Sequence, residues 1–202
     1  MNLDGSTQIV GVFGSPIAHT ASPAMHNAAF AALKMNWAYL AFHVEPQNLR
    51  AALTGIRDLN FRGVNLTVPH KLLAIDIVDE VDAAARKLGA VNTVVVEAGK
   101  LRGFNTDGYG FSKAIKEDFD MTLKGKRVLV LGAGGAGRAI AIQCASEGAA
   151  KLTVANRTPS NIQPIAVEIA VESIGLTAHD LQPAIAASDV LINATSVGLK
   201  PG

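Results

Sequence analysis

Cysteine is almost absent from this chain: of 202 residues, only Cys144 carries a thiol. A single thiol excludes an internal disulfide framework and fits a reducing compartment. Cys144 falls within a helix-like run and reads as a plain buried thiol rather than a reactive one. Charge is scarce and balanced. Charged residues make up 17% of the chain and the net charge is +1. No basic excess therefore points to nucleic acid, and no like-charge block points to a disordered tail. No apolar run approaches the roughly 20 residues of a membrane span. The opening Met1-Asn2-Leu3-Asp4-Gly5-Ser6-Thr7 has no basic segment leading into an apolar one, so no signal peptide is expected. These absences make the cytoplasm the expected compartment and exclude membrane and nucleic acid as partners. His19, His26 and His70 lack tight ligand spacing, and no cysteine or carboxylate cluster joins them, so no metal site is expected.

Apolar residues, by contrast, are abundant at 49%, enough for a real core. They alternate in strand-like and helix-like runs. The first part reads as a strand (8–14) and a helix (22–34) with Ser22 as N-cap and Pro23 in the first turn. A strand (39–44) and a helix (46–57) follow, the helix with Leu49, Ala52, Leu53 and Ile56 on one face. Then come a strand (63–68) stopped by Pro69, a helical stretch through Leu72, Leu73 and Ile75, and a short helix (83–88) ending at Gly89. A strand pair, 91–97 and 100–104, turns at Ala98-Gly99. The second part reads as a connecting helix (108–118), a strand (127–131), a helix (138–147), a strand (151–155), helices at 161–172 and 180–187, and a strand (189–193). The expected class is α/β in two domains, residues 1–107 and 108–202.

The strongest local motif is Gly132-Ala133-Gly134-Gly135-Ala136-Gly137, between a strand-like and a helix-like run. This is the layout of a dinucleotide-binding βαβ unit. Gly132 would allow the tight turn, Gly134 the approach of backbone to a pyrophosphate, and Gly137 close packing of helix on strand. The next strand ends in Asn156-Arg157-Thr158. An NAD site usually places a carboxylate there for the ribose 2′-hydroxyl; a neutral amide followed by a cation suits a 2′-phosphate, hence NADP. About three strands are expected after Lys124, against up to six in a whole dinucleotide fold, so only its first half is expected here.

Three further clusters lie at strand ends or loops, where α/β folds place ligands. They are Ser15-Pro16-Ile17-Ala18-His19-Thr20-Ala21-Ser22-Pro23; Asn65-Leu66-Thr67-Val68-Pro69-His70-Lys71; and Gly89-Ala90-Val91-Asn92-Thr93 with Gly103-Phe104-Asn105-Thr106-Asp107-Gly108. Together with residues 132–137, Asn156-Arg157-Thr158 and Asn193-Ala194-Thr195-Ser196, in this order, the chain resembles the shikimate dehydrogenases over nearly its whole length.

The resemblance implies an N-terminal α/β substrate domain and a C-terminally truncated, Rossmann-like NADP domain. It implies an NADP-dependent, reversible reduction of 3-dehydroshikimate to shikimate, a step of aromatic amino acid and chorismate biosynthesis. Lys71 matches the family's catalytic lysine: an ammonium both stabilises a developing alkoxide and donates a proton to it. Asp107 matches its paired aspartate, holding a substrate hydroxyl and orienting the lysine. Thr20 and Ser22 match two hydroxyls on the substrate carboxylate, and Thr67 and Asn92 match contacts to the ring hydroxyls. Asn65 is a further candidate for the same pocket. Ala21 stands where the family commonly has a lysine.

For the coenzyme, Gly132, Ala133, Gly134, Gly135 and Ala136 match the pyrophosphate loop, and Arg157, with Asn156 and Thr158, the 2′-phosphate contacts. Asn161 stands near where a second basic residue is frequent, which weakens the preference for NADP. Thr195 and Ser196 lie where the family lines the nicotinamide end. Two alternatives stay open: a quinate/shikimate dehydrogenase using NAD or NADP, and a nucleotide-binding fragment without catalysis. The partner is a small molecule, and a homodimer is one assembly open to the chain.

Overall fold

A computed structural model describes residues 3–167, 169–195 and 197–198. The chain divides into two compact units, the first ending at Asn105 and the second beginning at Thr106. Asp107, placed by the sequence at the end of the first domain, is thus a residue of the second unit.

The first unit is built on a six-stranded sheet. In chain order its elements are β1 (Gln8–Gly14), α1 (Ser22–Ala32), β2 (Trp37–His43), α2 (Leu49–Asp58), β3 (Gly63–Leu66), α3 (His70–Leu73), β4 (Glu80–Val81), α4 (Ala83–Leu88), β5 (Thr93–Glu97) and β6 (Lys100–Phe104). The strand order is β2-β1-β3-β5-β6-β4. β1 is parallel to β2 and β3, whereas β5 runs antiparallel to β3 and β6. One sheet face packs on α2, whose Leu49, Leu53 and Ile56 recur at helical spacing and are fully buried with Phe13, Val64, Leu66, Val94 and Leu101. On the other, Val12, Ile17 and Tyr39 pack with Val10 and Phe30. α4 shows how local chemistry sets bounds. The Asp82 carboxylate accepts the Ala85 N–H at 2.7 Å, and Gly89 closes the helix with a left-handed φ of 62°.

Helix α1 begins at Ser22 itself, with Ala21 in the capping position and no side-chain cap. Ser22 is therefore not the N-cap that the sequence suggested, and its hydroxyl is engaged elsewhere.

The second unit contains α5 (Asp107–Phe119), β7 (Arg127–Leu131), α6 (Gly135–Ser146), β8 (Lys151–Ala155), α7 (Gln163–Ala166), β9 (Glu172–Ile174), α8 (Ala178–Ala186) and β10 (Val190–Asn193). Its four strands are all parallel, in the order β10-β7-β8-β9. This corrects the expectation of three strands and of a helix over 161–172. The helix is only α7, whose Ile165 is buried beside Ile162, and residues 172–174 form a strand. Glu172 sits opposite Thr153, whose hydroxyl donates to it at 2.9 Å, and Lys151 pairs with it at 2.9 Å. These cross-strand contacts outweigh a weak helical pattern. The order matches the first four strands of a dinucleotide fold, 3-2-1-4, so the structure contains more than the first half. The reversal of strand order falls between β7 and β10, the crevice position where open α/β sheets bind ligands. Among the described residues, no helix is long and apolar enough to cross a membrane.

Candidate active site

In the first unit, four strands bring their ends to one sheet edge. β1 and β3 finish there, β5 starts there because it is antiparallel, and β6 finishes there. Backbone bonds tie the segments beyond these ends together. The Thr67 N–H donates to the Phe13 carbonyl at 3.0 Å, Leu66 N–H to the Asn92 carbonyl at 2.8 Å, and Asn92 N–H to the Phe104 carbonyl at 3.0 Å. The Val91 N–H donates to the Lys71 carbonyl at 2.8 Å, fixing α3 beside the segment that carries Asn92. The Asn105 amide donates to the Ala90 carbonyl at 2.9 Å and secures the same turn. Thr67, Lys71 and Asn92 are gathered here by main-chain geometry.

The side chains form a second layer of order. Thr20 and Ser22 share a hydroxyl–hydroxyl bond of 3.2 Å, and the Ser22 N–H donates to the Thr20 Oγ1 at 3.3 Å. The Tyr39 phenol, with Ser22 among its neighbours, belongs to a second group of bonds. Burial pushes that phenol up to about 12, with the Ser22 hydroxyl acting in the opposite sense. The Tyr39 hydroxyl donates to Asn65 Oδ1 at 2.7 Å. Asn65 Nδ2 donates to Thr93 Oγ1 at 3.1 Å and to the Asn92 carbonyl at 3.4 Å. The Thr93 hydroxyl donates to Asn92 Oδ1 at 2.9 Å. Two of the sequence candidates, Asn65 and Asn92, thus sit on one polar chain with Tyr39 and Thr93, while Thr20 and Ser22 pair with each other. Tyr39 and Thr93 were not singled out by the sequence, because each reads as an ordinary strand residue.

Two of the histidines, His26 and His70, have structural work. His26 stacks on Tyr39 with ring centroids 4.2 Å apart. His70, fully buried next to Lys71, lies 2.8 Å from the Val44 carbonyl through Nε2. A carbonyl only accepts, so Nε2 carries the proton. Burial pushes the His70 imidazole below its ordinary range, which keeps it neutral near pH 7.

In the second unit the candidates are main chain. Gly132 follows β7 with a left-handed φ of 102°, and a Cβ there would lie 3.0 Å from the Ala194 carbonyl. A Cβ on Gly137 would lie 2.0 Å from the Gly132 carbonyl, so helix and loop touch as the motif implied. A Cβ on Gly134 would meet nothing within 4 Å. Open space therefore adjoins the first turn of α6, where the N–H groups of Gly135, Ala136 and Gly137 precede the first helical bond, Arg138 N–H to Gly134 carbonyl at 2.8 Å. Helix N–H groups that precede the first intrahelical bond, beside a glycine-lined opening, fit a pyrophosphate.

The Ala133 N–H is already committed: it donates to Asn156 Oδ1 at 3.2 Å. Asn156 Nδ2 donates to the Thr158 carbonyl at 2.8 Å. The Asn156 amide thus bridges the glycine loop and the loop after β8, on which Arg157 and Thr158 are exposed. After β10, Asn193 Oδ1 accepts the Thr195 hydroxyl at 2.7 Å and the Thr195 N–H at 3.0 Å. This turn sets Thr195 against the glycine loop, its methyl 3.1 Å from a Cβ built on Gly132. Ser196 lies outside the described residues. Cys144 is fully buried, and burial pushes its thiol up to about 12, which suits a packing role.

Two family descriptions match the chain. The shikimate dehydrogenase substrate binding domain covers residues 12–94, and shikimate / quinate 5-dehydrogenase covers residues 113–199. A shikimate dehydrogenase (NADP(+)) of Methanopyrus kandleri is 42% identical over 100% of this chain and 71% of its own length. The crystal structure of shikimate dehydrogenase from Aquifex aeolicus superposes with a TM-score of 0.91 at 39% identity, covering 98% of this chain and 73% of the other. The Thermus thermophilus enzyme, solved with NADP(H) and shikimate, gives a TM-score of 0.85 at 39% identity, covering 96% of this chain and 70% of the other.

Proposed function

Because the chain belongs to the shikimate dehydrogenase family, we propose that it interconverts 3-dehydroshikimate and shikimate with NADP as coenzyme, and that it acts in the cytoplasm. The observation that carries this reading is the single sheet edge in the first unit at which Thr67, Lys71 and Asn92 are tied by backbone bonds, Asn65 and Asn92 share a polar chain, and Thr20 and Ser22 pair with each other. A carboxylated, polyhydroxylated ring needs such a directional set of hydroxyl and amide groups.

When bound, the coenzyme supplies the hydride for reduction and takes it back for oxidation. The chain's own residues do the rest. Lys71 donates a proton from its ammonium to the ketone oxygen as the carbon gains hydride, and the neutral amine retrieves it from the hydroxyl in the reverse direction. Asp107 holds a substrate hydroxyl. Thr20 and Ser22 receive the substrate carboxylate, while Thr67 and Asn92 read ring hydroxyls. On the coenzyme side, Gly134, Gly135 and Ala136 offer backbone N–H groups to the pyrophosphate. Arg157 and Thr158 face the 2′-phosphate, a dianion that a guanidinium pairs with two-pronged geometry. Asn156 holds the loop on which they stand, and Thr195 closes the opposite side of the glycine turn.

The test is a set of initial rates for the purified 202-residue chain on shikimate and on quinate, each with NADP and with NAD. Turnover with shikimate and NADP should exceed every other pair. Faster turnover with quinate and NAD would replace this reading with a quinate dehydrogenase. Coenzyme binding with no turnover on either acid would replace it with a nucleotide-binding role.

A further inference from the structure

The direction of every hydrogen bond in the polar chain of the first unit follows from one group that has no choice. The Asn92 main-chain carbonyl only accepts, so the Asn65 side-chain atom 3.4 Å from it is the amide nitrogen. Asn65 Oδ1 is then the other end and takes the Tyr39 proton at 2.7 Å. The same Asn65 nitrogen lies 3.1 Å from Thr93 Oγ1, so that oxygen accepts there. The single proton of the Thr93 hydroxyl is left for Asn92, 2.9 Å away. The Asn92 atom receiving it is therefore the oxygen. The other end of the amide, two N–H donors, is what Asn92 presents away from Thr93. Asn92 is 8% exposed and has little room to turn over by other routes.

We propose that Thr93 is a positioning residue whose hydroxyl sets the Asn92 amide with its nitrogen toward the substrate, making Asn92 an obligate donor to a ring oxygen. This rests on the reading of Asn92 as a substrate contact. Thr93 itself does not need to touch the ligand: it pairs directly with Asn65 across the β3–β5 ladder, a register that holds its hydroxyl between the two amides. The consequence is selectivity for a ligand oxygen that can accept. A ring position bearing only a donor would meet the wrong end of the amide.

The experiment compares Thr93→Val, which keeps the shape and removes the hydroxyl, with Thr93→Ser, which keeps the hydroxyl. Shikimate affinity by calorimetry should fall about tenfold in Thr93→Val, the scale of one lost hydrogen bond, and Thr93→Ser should restore it to within about threefold of the parent. Affinity for NADP should not move. In an Asn92→Ala background, adding Thr93→Val should cost less than about twofold, since the residue acts through Asn92; a second full tenfold loss there overturns the proposal.

A ligand-free readout separates this from the substrate reading. The Asn92 side-chain amide should give one pair of NMR resonances in the parent and in Thr93→Ser, and a shifted or doubled pair in Thr93→Val. Unmoved resonances overturn the proposal whatever the chain binds. Moved resonances in a chain that does not bind shikimate uphold the role of Thr93 and refute the substrate reading instead. Thr93→Ala gives a second removal of the hydroxyl, and it must agree with Thr93→Val.

Discussion

The two units solve recognition with different materials. In the first, the candidate site is made of side chains, each held by another: Ser22 by Thr20, Asn65 by Tyr39, Asn92 by Thr93. In the second, it is made of backbone, and what matters is where side chains are missing. Gly137 has no room for a Cβ, whereas Gly134 has open space around it. The difference follows from the ligands each would take. A polyhydroxylated ring must be told apart by the direction of each hydroxyl, which needs donors and acceptors at fixed places. A pyrophosphate is bulky, anionic and the same in every dinucleotide, so a row of N–H groups and an absence of obstruction suffice.

This contrast can be broken at several points, and Lys71 is where the effect is greatest. Lys71→Met should lower kcat by about 10²–10⁴, the range of general acid–base catalysis, while NADP affinity measured by fluorescence titration stays put. Gly137→Ala should act on the fold itself. A methyl 2.0 Å from the Gly132 carbonyl forces helix from loop, and overpacking of this kind costs about 1–3 kcal/mol, readable as an earlier urea midpoint together with lost coenzyme binding.

Arg157→Ala should spare stability and raise the KM for NADP roughly ten- to hundredfold, the worth of a hydrogen bond to a charged group, leaving the KM for NAD unchanged. Gly134→Ala sharpens the comparison with its neighbour: the methyl meets no protein atom, so the urea midpoint should hold while NADP affinity drops roughly tenfold. Equal destabilisation by Gly134→Ala and Gly137→Ala would undo the distinction between open and filled glycine positions.

The smallest effect concerns Tyr39. Its folded phenol ionises only at about 12, whereas an unfolded one does so near 10. Between those values the unfolded state has released a proton that the native state still holds, so stability falls as pH rises through the window. Unfolding curves from pH 9 to 11.5 should show this loss in the parent and a shallower one in Tyr39→Phe.

Much of this was legible in sequence, and the exceptions share a cause. The buried face of α2 showed in the spacing of Leu49, Leu53 and Ile56, and the glycine turn showed in its own letters, because both depend on residues close in the chain. β9 did not show: three residues are too few to carry an alternation, and Glu172 is set by its partners on β8 rather than by its neighbours. Tyr39 and Thr93 escaped for the same reason. Their value lies in the register of β2, β3 and β5, with Asn65 opposite Thr93 and 26 residues from Tyr39 along the chain. No local pattern encodes which hydroxyl will meet which amide.

Asn156 has a consequence for how coenzyme preference can change over time. Its oxygen takes the Ala133 N–H and its nitrogen reaches the Thr158 carbonyl. A carboxylate at this place, the usual mark of an NAD site, would keep the first bond but set two acceptors against each other in place of the second. Switching coenzyme by that one exchange would therefore also loosen the loop that carries Arg157. Selectivity and shape are inherited together at this position, and a lineage that drifts toward the other coenzyme has to rebuild the turn as it goes.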